Sequence, residues 1–159
     1  MMILYIAYDN YLSRTAINKL LFFCDLLYGY KNKGYSETIS NAKYIKEQYG
    51  PVPLYVDEIR STLLNAGLLD KNTIDSSLYI YYLFKTNNKV KKDSIIDFFN
   101  KKEIEIMNKV LTKIGKETDA NLSELSHQFE PWKSSDWFDI LDFNKAKEDN
   151  KLQEFLNTF

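Results

Sequence analysis

The 159-residue sequence predicts a mainly α, α+β fold: a single compact helical domain over residues 1–159 with a small β-hairpin, winged-helix-like as one form of it. Three observations carry that expectation. Apolar content of 45% and aromatic content of 15% are those of a folded chain, and the length suffices for one buried core. Several segments show helical periodicity closed by start and stop signals. One aromatic, β-rich run near residue 80 is followed by turn residues.

In chain order, residues 15–28 (TAINKLLFFCDLLY) are apolar almost all round. Such a helix sits centrally, with neighbours on most sides, and Cys24 belongs to its packing. Residues 30–40 form a polar, glycine-containing connection, and 42–49 fit strand or helix equally. Pro53 suits the first turn of a helix over 54–66, where its missing N–H is unpaired anyway. Asp57 and Glu58 lie near the positive end of that helix. Val56, Ile59 and Leu63 form its stripe, and Gly67 supplies a left-handed stop onto which Leu68 folds back.

Residues 77–85 (SLYIYYLFK) read as a strand, TNN as a turn and KVKK as a short return strand. The hairpin would then carry a lysine-rich tip behind a helix, the layout of a winged helix. Asn100 with Glu103 signals a capping box for a helix over 101–114. Its stripe is Ile104, Met107, Val110, Leu111 and Ile114. Asn121 with Glu124 signals the start of a two-turn helix with Leu122, Leu125 and Phe129 inward and Pro131 as its stop. Trp132 and Trp137 follow in an irregular stretch, and a last helix near 145–157 buries Leu152, Phe155 and Leu156.

Charge and composition narrow the function. Net charge is −1, and the cations are 19 lysines against only Arg14 and Arg60, so neither a global field nor many forked guanidinium groups favour nucleic acid. The single cysteine allows no internal disulfide, and MMILYIAYDN lacks the cationic start of a signal peptide, so a cytoplasmic setting is expected. No glycine-rich phosphate motif and no metal-ligand spacing appears, so neither cofactor nor metal is expected. His127 is the sole histidine, with Ser123 a turn before it and Ser126 adjacent. A hydrolase built from these on one helix is weak, because such neighbours rarely present a nucleophile to a base beside an oxyanion hole. On helical spacing His127 points away from the apolar side, which reads as a surface histidine. The sharper alternative is a ring that holds a loop or touches a partner.

The segment YGPVPLY (49–55) is the least ordinary in the chain. Each proline fixes φ near −65° and pushes its predecessor to extended geometry, while Gly50 permits a turn that other residues resist. The result is a stiff corner flanked by Tyr49 and Tyr55. It serves equally as a rigid entry to the next helix or as a preorganised surface that loses little entropy on binding.

Three blocks in order, NKLLFFCD (18–25), ISNAKYIKEQYGPVP (39–53) and LSELSHQFEPW (122–132), resemble the Panacea domain of SocA-like antitoxins, also labelled phage-associated GepA-like proteins. Lys19, Leu20, Leu21 and Asp25 match the first block as its structural core. Ile39, Tyr44, Tyr49, Gly50, Pro51, Val52 and Pro53 match the second, and Leu125, Ser126, His127 and Trp132 the third. Asn41 stands where that family often has glycine, and Ala42 where a polar residue is common. The resemblance spans about residues 12–137. It implies a non-enzymatic bacterial antitoxin that neutralises a cognate protein toxin by direct binding, with a role as adaptor to a ClpXP-type protease as one form of this.

On that basis Tyr49, Gly50, Pro51, Val52, Pro53, Tyr55, Ser126, His127 and Trp132 are expected to lie together as the partner-binding patch. The alternative is a winged-helix-like DNA-binding regulator, with helix 54–66 in the groove and Lys85, Lys89, Lys91 and Lys92 on phosphates.

Overall fold

The computed structural model describes residues 1–75 and 79–159 and is mixed α+β. Its centre is the helix α2 (Arg14–Lys31), which follows the short helix α1 (Met2–Ile6) and the two-residue strand β1 (Leu12–Ser13). The Ser13 hydroxyl caps α2 by accepting from the Ala16 amide. Ile17, Leu20, Phe22, Phe23, Cys24, Leu26 and Leu27 are all fully buried. Each large side chain so buried contributes about 1.5–3 kcal/mol, which makes this helix the main organiser of the core. Phe22 and Phe23 meet Tyr44, Phe129, Phe143 and Phe155 edge to face.

Two small sheets flank α2. One is an antiparallel hairpin of β2 (Tyr44–Glu47) and β3 (Gly50–Pro53). The other has the order β1-β5-β4, with β4 (Leu69–Asp75) antiparallel to β5 (Ile80–Thr86). Thr86 ties this sheet to α1: its amide donates to the Ala7 carbonyl at 2.9 Å and its hydroxyl to that of Leu4 at 2.7 Å. The remaining elements are α3 (Val56–Asn65), α4 (Lys92–Ile96), α5 (Lys101–Ile114), α6 (Asp119–His127), α7 (Glu130–Lys133), a 3-10 turn (Phe143–Lys147) and α8 (Asn150–Asn157). Among the described residues, no helix is long and apolar enough to cross a membrane.

Many local expectations hold. The Asn100–Glu103 capping box is present and opens α5. Gly67 has φ 66°, and the Leu68 amide donates to the Leu63 carbonyl at 2.9 Å, the return bond of a left-handed helix stop. Others need correction. Pro53 ends β3 instead of starting a helix, and α3 begins at Val56 behind Tyr55, which takes the left-handed φ of 61°. Ile59 is exposed, and Arg60 occupies the interior position of α3 in its place.

KVKK is no strand. Lys89 and Val90 lie in a turn and Lys92 opens α4, so the return strand of the hairpin is β5 and its partner is the polar β4. The predicted strand start at 77–78 lies outside the described residues. Thr118, not Asn121, caps α6. Pro131 sits inside the first turn of α7, where a proline costs nothing. The last helix divides into the 3-10 turn and α8, whose start is capped by Asp149.

Candidate functional site: a pinned proline hairpin

Register explains the two prolines. The turn of the β2–β3 hairpin is Gln48–Tyr49, with Glu47 opposite Gly50 and Ile45 opposite Val52. Beyond the strands the Leu54 amide donates to the Lys43 carbonyl at 2.8 Å. The antiparallel period of two therefore gives ladder bonds at 50, 52 and 54. Pro51 and Pro53 fall between them, where an N–H would point away from β2, so its absence leaves the ladder intact. The Pro51 carbonyl points outward for the same reason. It accepts from Lys19 Nζ of α2 at 2.8 Å.

The opposite edge of the hairpin is closed by residues 138–141. The Lys46 amide donates to the Asp139 carbonyl at 3.1 Å, Phe138 donates to Lys46 at 3.0 Å, and Leu141 donates to Tyr44 at 2.8 Å. Ile45 and Ile140 form the bridge between the two segments.

Helix α6 supports the turn. Ser123 Oγ donates to the Tyr49 carbonyl at 3.0 Å, and Ser126 Oγ donates to the Ser123 carbonyl at 2.8 Å. Gly50 has φ 95°, and a Cβ there would collide with Ser126 Oγ and come within 2.7 Å of Lys19 Cε. Glycine is thus required twice, by backbone conformation and by space. His127 stacks on Trp132, ring centroids 4.0 Å apart, and Trp132 Nε1 makes a long contact to the Glu47 carbonyl at 3.4 Å. The hairpin turn, Ser126–His127 and Trp132 therefore form one contiguous unit.

Exposure sorts these residues. Gly50, Pro51, Pro53 and Ser126 are buried and hold the corner in place; Val52, His127 and Trp132 are half-buried. Tyr49 is 64% exposed and Tyr55 71%. His127 is not the surface residue its helical spacing indicates: its Nε2 is buried and has no hydrogen-bond partner among the described residues. Burial first, then Lys19 and Lys46, lowers its pKa, so the ring is neutral at neutral pH. Both neighbouring serine hydroxyls donate to backbone carbonyls and not to this ring.

Residues that periodicity does not mark complete the face. Lys46 Nζ lies 4.3 Å from the Trp132 ring and 5.2 Å from that of Trp137, and donates to the Ser135 carbonyl at 2.9 Å. Phe138 is 69% exposed in the left-handed conformation, φ 66°. Trp137 and Ile140 are exposed beside it. The only advance signal was the density of aromatics after Pro131.

The first-block residues anchor the hairpin from beneath. Leu20 and Leu21 are core. Asp25 is fully buried and accepts from the Ser40 amide at 3.0 Å, the Ser40 hydroxyl and Tyr44 Oη at 2.7 Å. Burial raises its pKa to about 6 against these bonds. Asn41 adopts the left-handed φ of 54° that a glycine would take there.

A DNA-reading role for α3 has the wrong charge. Its exposed side carries Asp57 and Glu58, and its one arginine, Arg60, is buried against Asp57 and Asn18. Among the described residues, no group of three His, Cys, Asp or Glu side chains could hold a metal ion.

No curated protein and no solved structure matches the chain significantly. The family described as "Antitoxin SocA-like, Panacea domain" matches residues 17–133, which run from the second turn of α2 through the hairpin and α6 to Trp132 and Lys133. The chain belongs to this antitoxin-like Panacea domain family.

Proposed function

We propose that the protein neutralises a cognate protein toxin by direct binding, using the face built on the Gln48–Tyr49 turn and the aromatic segment 137–140. The observation that carries this reading is the contrast between support and surface. Buried Lys19, Ser123 and Ser126 fix the hairpin, while Tyr49 on its turn and Trp137 and Phe138 on the segment along its β2 edge leave their rings exposed. Rigid exposed aromatics offer large contact area at small entropic cost, the composition of binding hot spots. The family membership supplies the partner class.

The test is co-expression with the product of the neighbouring reading frame. That product is expected to arrest growth alone and to be silenced by this chain. A neighbour that is harmless alone, or equally lethal with this chain present, refutes the proposal. Repeating the assay with purified components and no protease separates steric neutralisation from delivery to a ClpXP-type protease.

A further inference from the structure

The sheet edges of this molecule are protected unequally. An open edge invites pairing with another chain unless prolines, charges, brevity or a covering segment prevent it. The outer edge of β3 carries Pro51 and Pro53, and Lys19 takes the Pro51 carbonyl. Residues 138–141 cover β2. Strand β4 carries Asp70, Lys71 and Asp75, and β1 is two residues long. Strand β5 differs. Its side facing β1 is paired at Leu83 and Phe84 alone, because the chain turns into α2 at Arg14. Ile80, Tyr81 and Tyr82 are exposed, have no strand on that side among the described residues, and include neither proline nor charge.

Strand parity identifies the open groups. The Asn87 amide donates to Leu68 on the β4 side, and the Thr86 amide to Ala7 on the other. Even-numbered residues of β5 therefore point their backbone N–H and C=O away from β4. Among the described residues, nothing bonds the outward Ile80 N–H and C=O or the Tyr82 C=O. Beside them lies a cavity of about 830 Å³, walled on its far side by the first turns of α2 and α6. Such a slot continues the line of β1. It admits one extended chain, and the helices obstruct a second sheet. Two charged side chains line it. Arg14 is paired with Asp57, whereas Asp119 accepts from Ser13 Oγ at 2.6 Å and has no cation within ion-pairing distance among the described residues. The nearby lysines are engaged elsewhere: Lys19 on the Pro51 carbonyl, Lys71 over the Tyr82 ring and Lys85 over that of Tyr11.

We propose that the slot beside Ile80–Tyr82 accepts an extended, basic segment of a different protein, which adds to β5 as a strand in line with β1. Alternating N–H and C=O groups at strand spacing are what an extended backbone supplies, so the open positions specify that chemistry. Asp119 sets the sign of the charge beside the pairing residues. The inference goes beyond toxin neutralisation and holds whichever protein carries the segment.

The test is an NMR titration of the full chain with two end-capped pentapeptides, Lys-Val-Thr-Val-Lys and Glu-Val-Thr-Val-Glu, at fixed ionic strength. The basic peptide should give saturable shifts at the Ile80, Tyr81 and Tyr82 amides and slow hydrogen exchange at Ile80. It should bind about two- to fivefold tighter than the acidic one. Ile80→Pro removes the outward N–H and spares the β4 ladder, whose bonds come from the odd positions, so it should weaken binding by about tenfold. Ile80→Val keeps that N–H and should bind as the wild type does. Should Ile80→Pro not fold, the basic peptide N-methylated at its three central residues is titrated into the wild type, and its binding should be lost. Non-saturating shifts, shifts centred elsewhere, equal or tighter binding of the acidic peptide, or undiminished binding in the Ile80→Pro or N-methyl arm overturns the proposal. So does a dimer of the chain alone that already protects Ile80, which assigns the edge to a second copy.

Discussion

At the residue scale, Gly50 and Lys19 make the sharpest claims. Replacing Gly50 by alanine forces a left-handed backbone on a residue with a Cβ, costing about 1–2 kcal/mol. It also drives that Cβ into Ser126 and Lys19, an overpacking cost of about 1–3 kcal/mol. A loss of about 3 kcal/mol in denaturant unfolding is expected, and a loss below about 1 kcal/mol would show that the α6–hairpin contact yields easily. Lys19 predicts a pH dependence. Burial pushes its pKa down from 10.5 to about 7, against the pull of Asp119 and Glu47. Between those values the unfolded chain holds the proton and the folded chain does not, so stability rises with pH across that window. Below pH 7 the whole cost of burying the charge is present. Measured against Lys19→Met, which carries no charge, the wild type should gain stability from pH 7 to pH 10, by at most about 1.4 kcal/mol per pH unit. A flat difference would mean that this lysine keeps an ordinary pKa.

At the scale of elements, strand parity decides what the prolines do. Val52 occupies a ladder position, so Val52→Pro removes a bond to β2 and should cost about 3 kcal/mol. Pro51→Ala places its new N–H away from β2. It adds chain entropy to the unfolded state and leaves one buried donor to satisfy, a cost of about 1–2 kcal/mol. Hydrogen exchange at Ile45 should collapse in the first variant and persist in the second. The same parity explains why the hairpin was hard to see in advance. Pro53 followed by Asp57 and Glu58 imitates a helix start, and only the pairing of Tyr44 with Pro53 reveals a strand. Strand β4, LDKNTID, carries too few apolar residues to announce itself, because only Leu69 is buried. By contrast α2, α5 and the Gly67 stop were legible, since their signals are local: continuous apolar periodicity, a reciprocal cap and a positive φ. The grouping of the hairpin turn with His127 and Trp132 came from motif order. The contributions of Lys46 and Phe138 arise from residues about 90 apart in the chain and leave no local pattern.

At the scale of the molecule, the core and the binding face share one helix but not one energy source. Helix α2 buries its aromatics for stability and spends Lys19 and Asp25 on holding the hairpin and Tyr44. What projects beyond that frame adds little to folding, and at Phe138 it works against it. An aromatic side chain at φ 66° is strained, and 69% exposure returns few contacts to offset the strain. Phe138→Gly should therefore raise unfolding free energy by about 0.5–1 kcal/mol, since glycine adopts that backbone freely. If the aromatic face grips the toxin, the same change should weaken neutralisation by the amount of a hot-spot residue, about 2 kcal/mol or roughly thirtyfold in Kd. Phe98 is as exposed but lies just beyond α4, beside Met1, Ile39 and Pro53 and not on the segment 137–140, and Phe98→Ala should leave neutralisation unchanged if that segment is the interface. Stability and binding moving in opposite directions at Phe138 would mark a residue retained for recognition. A Phe138→Gly protein that is more stable and still neutralises fully would remove the segment 137–140 from the interface.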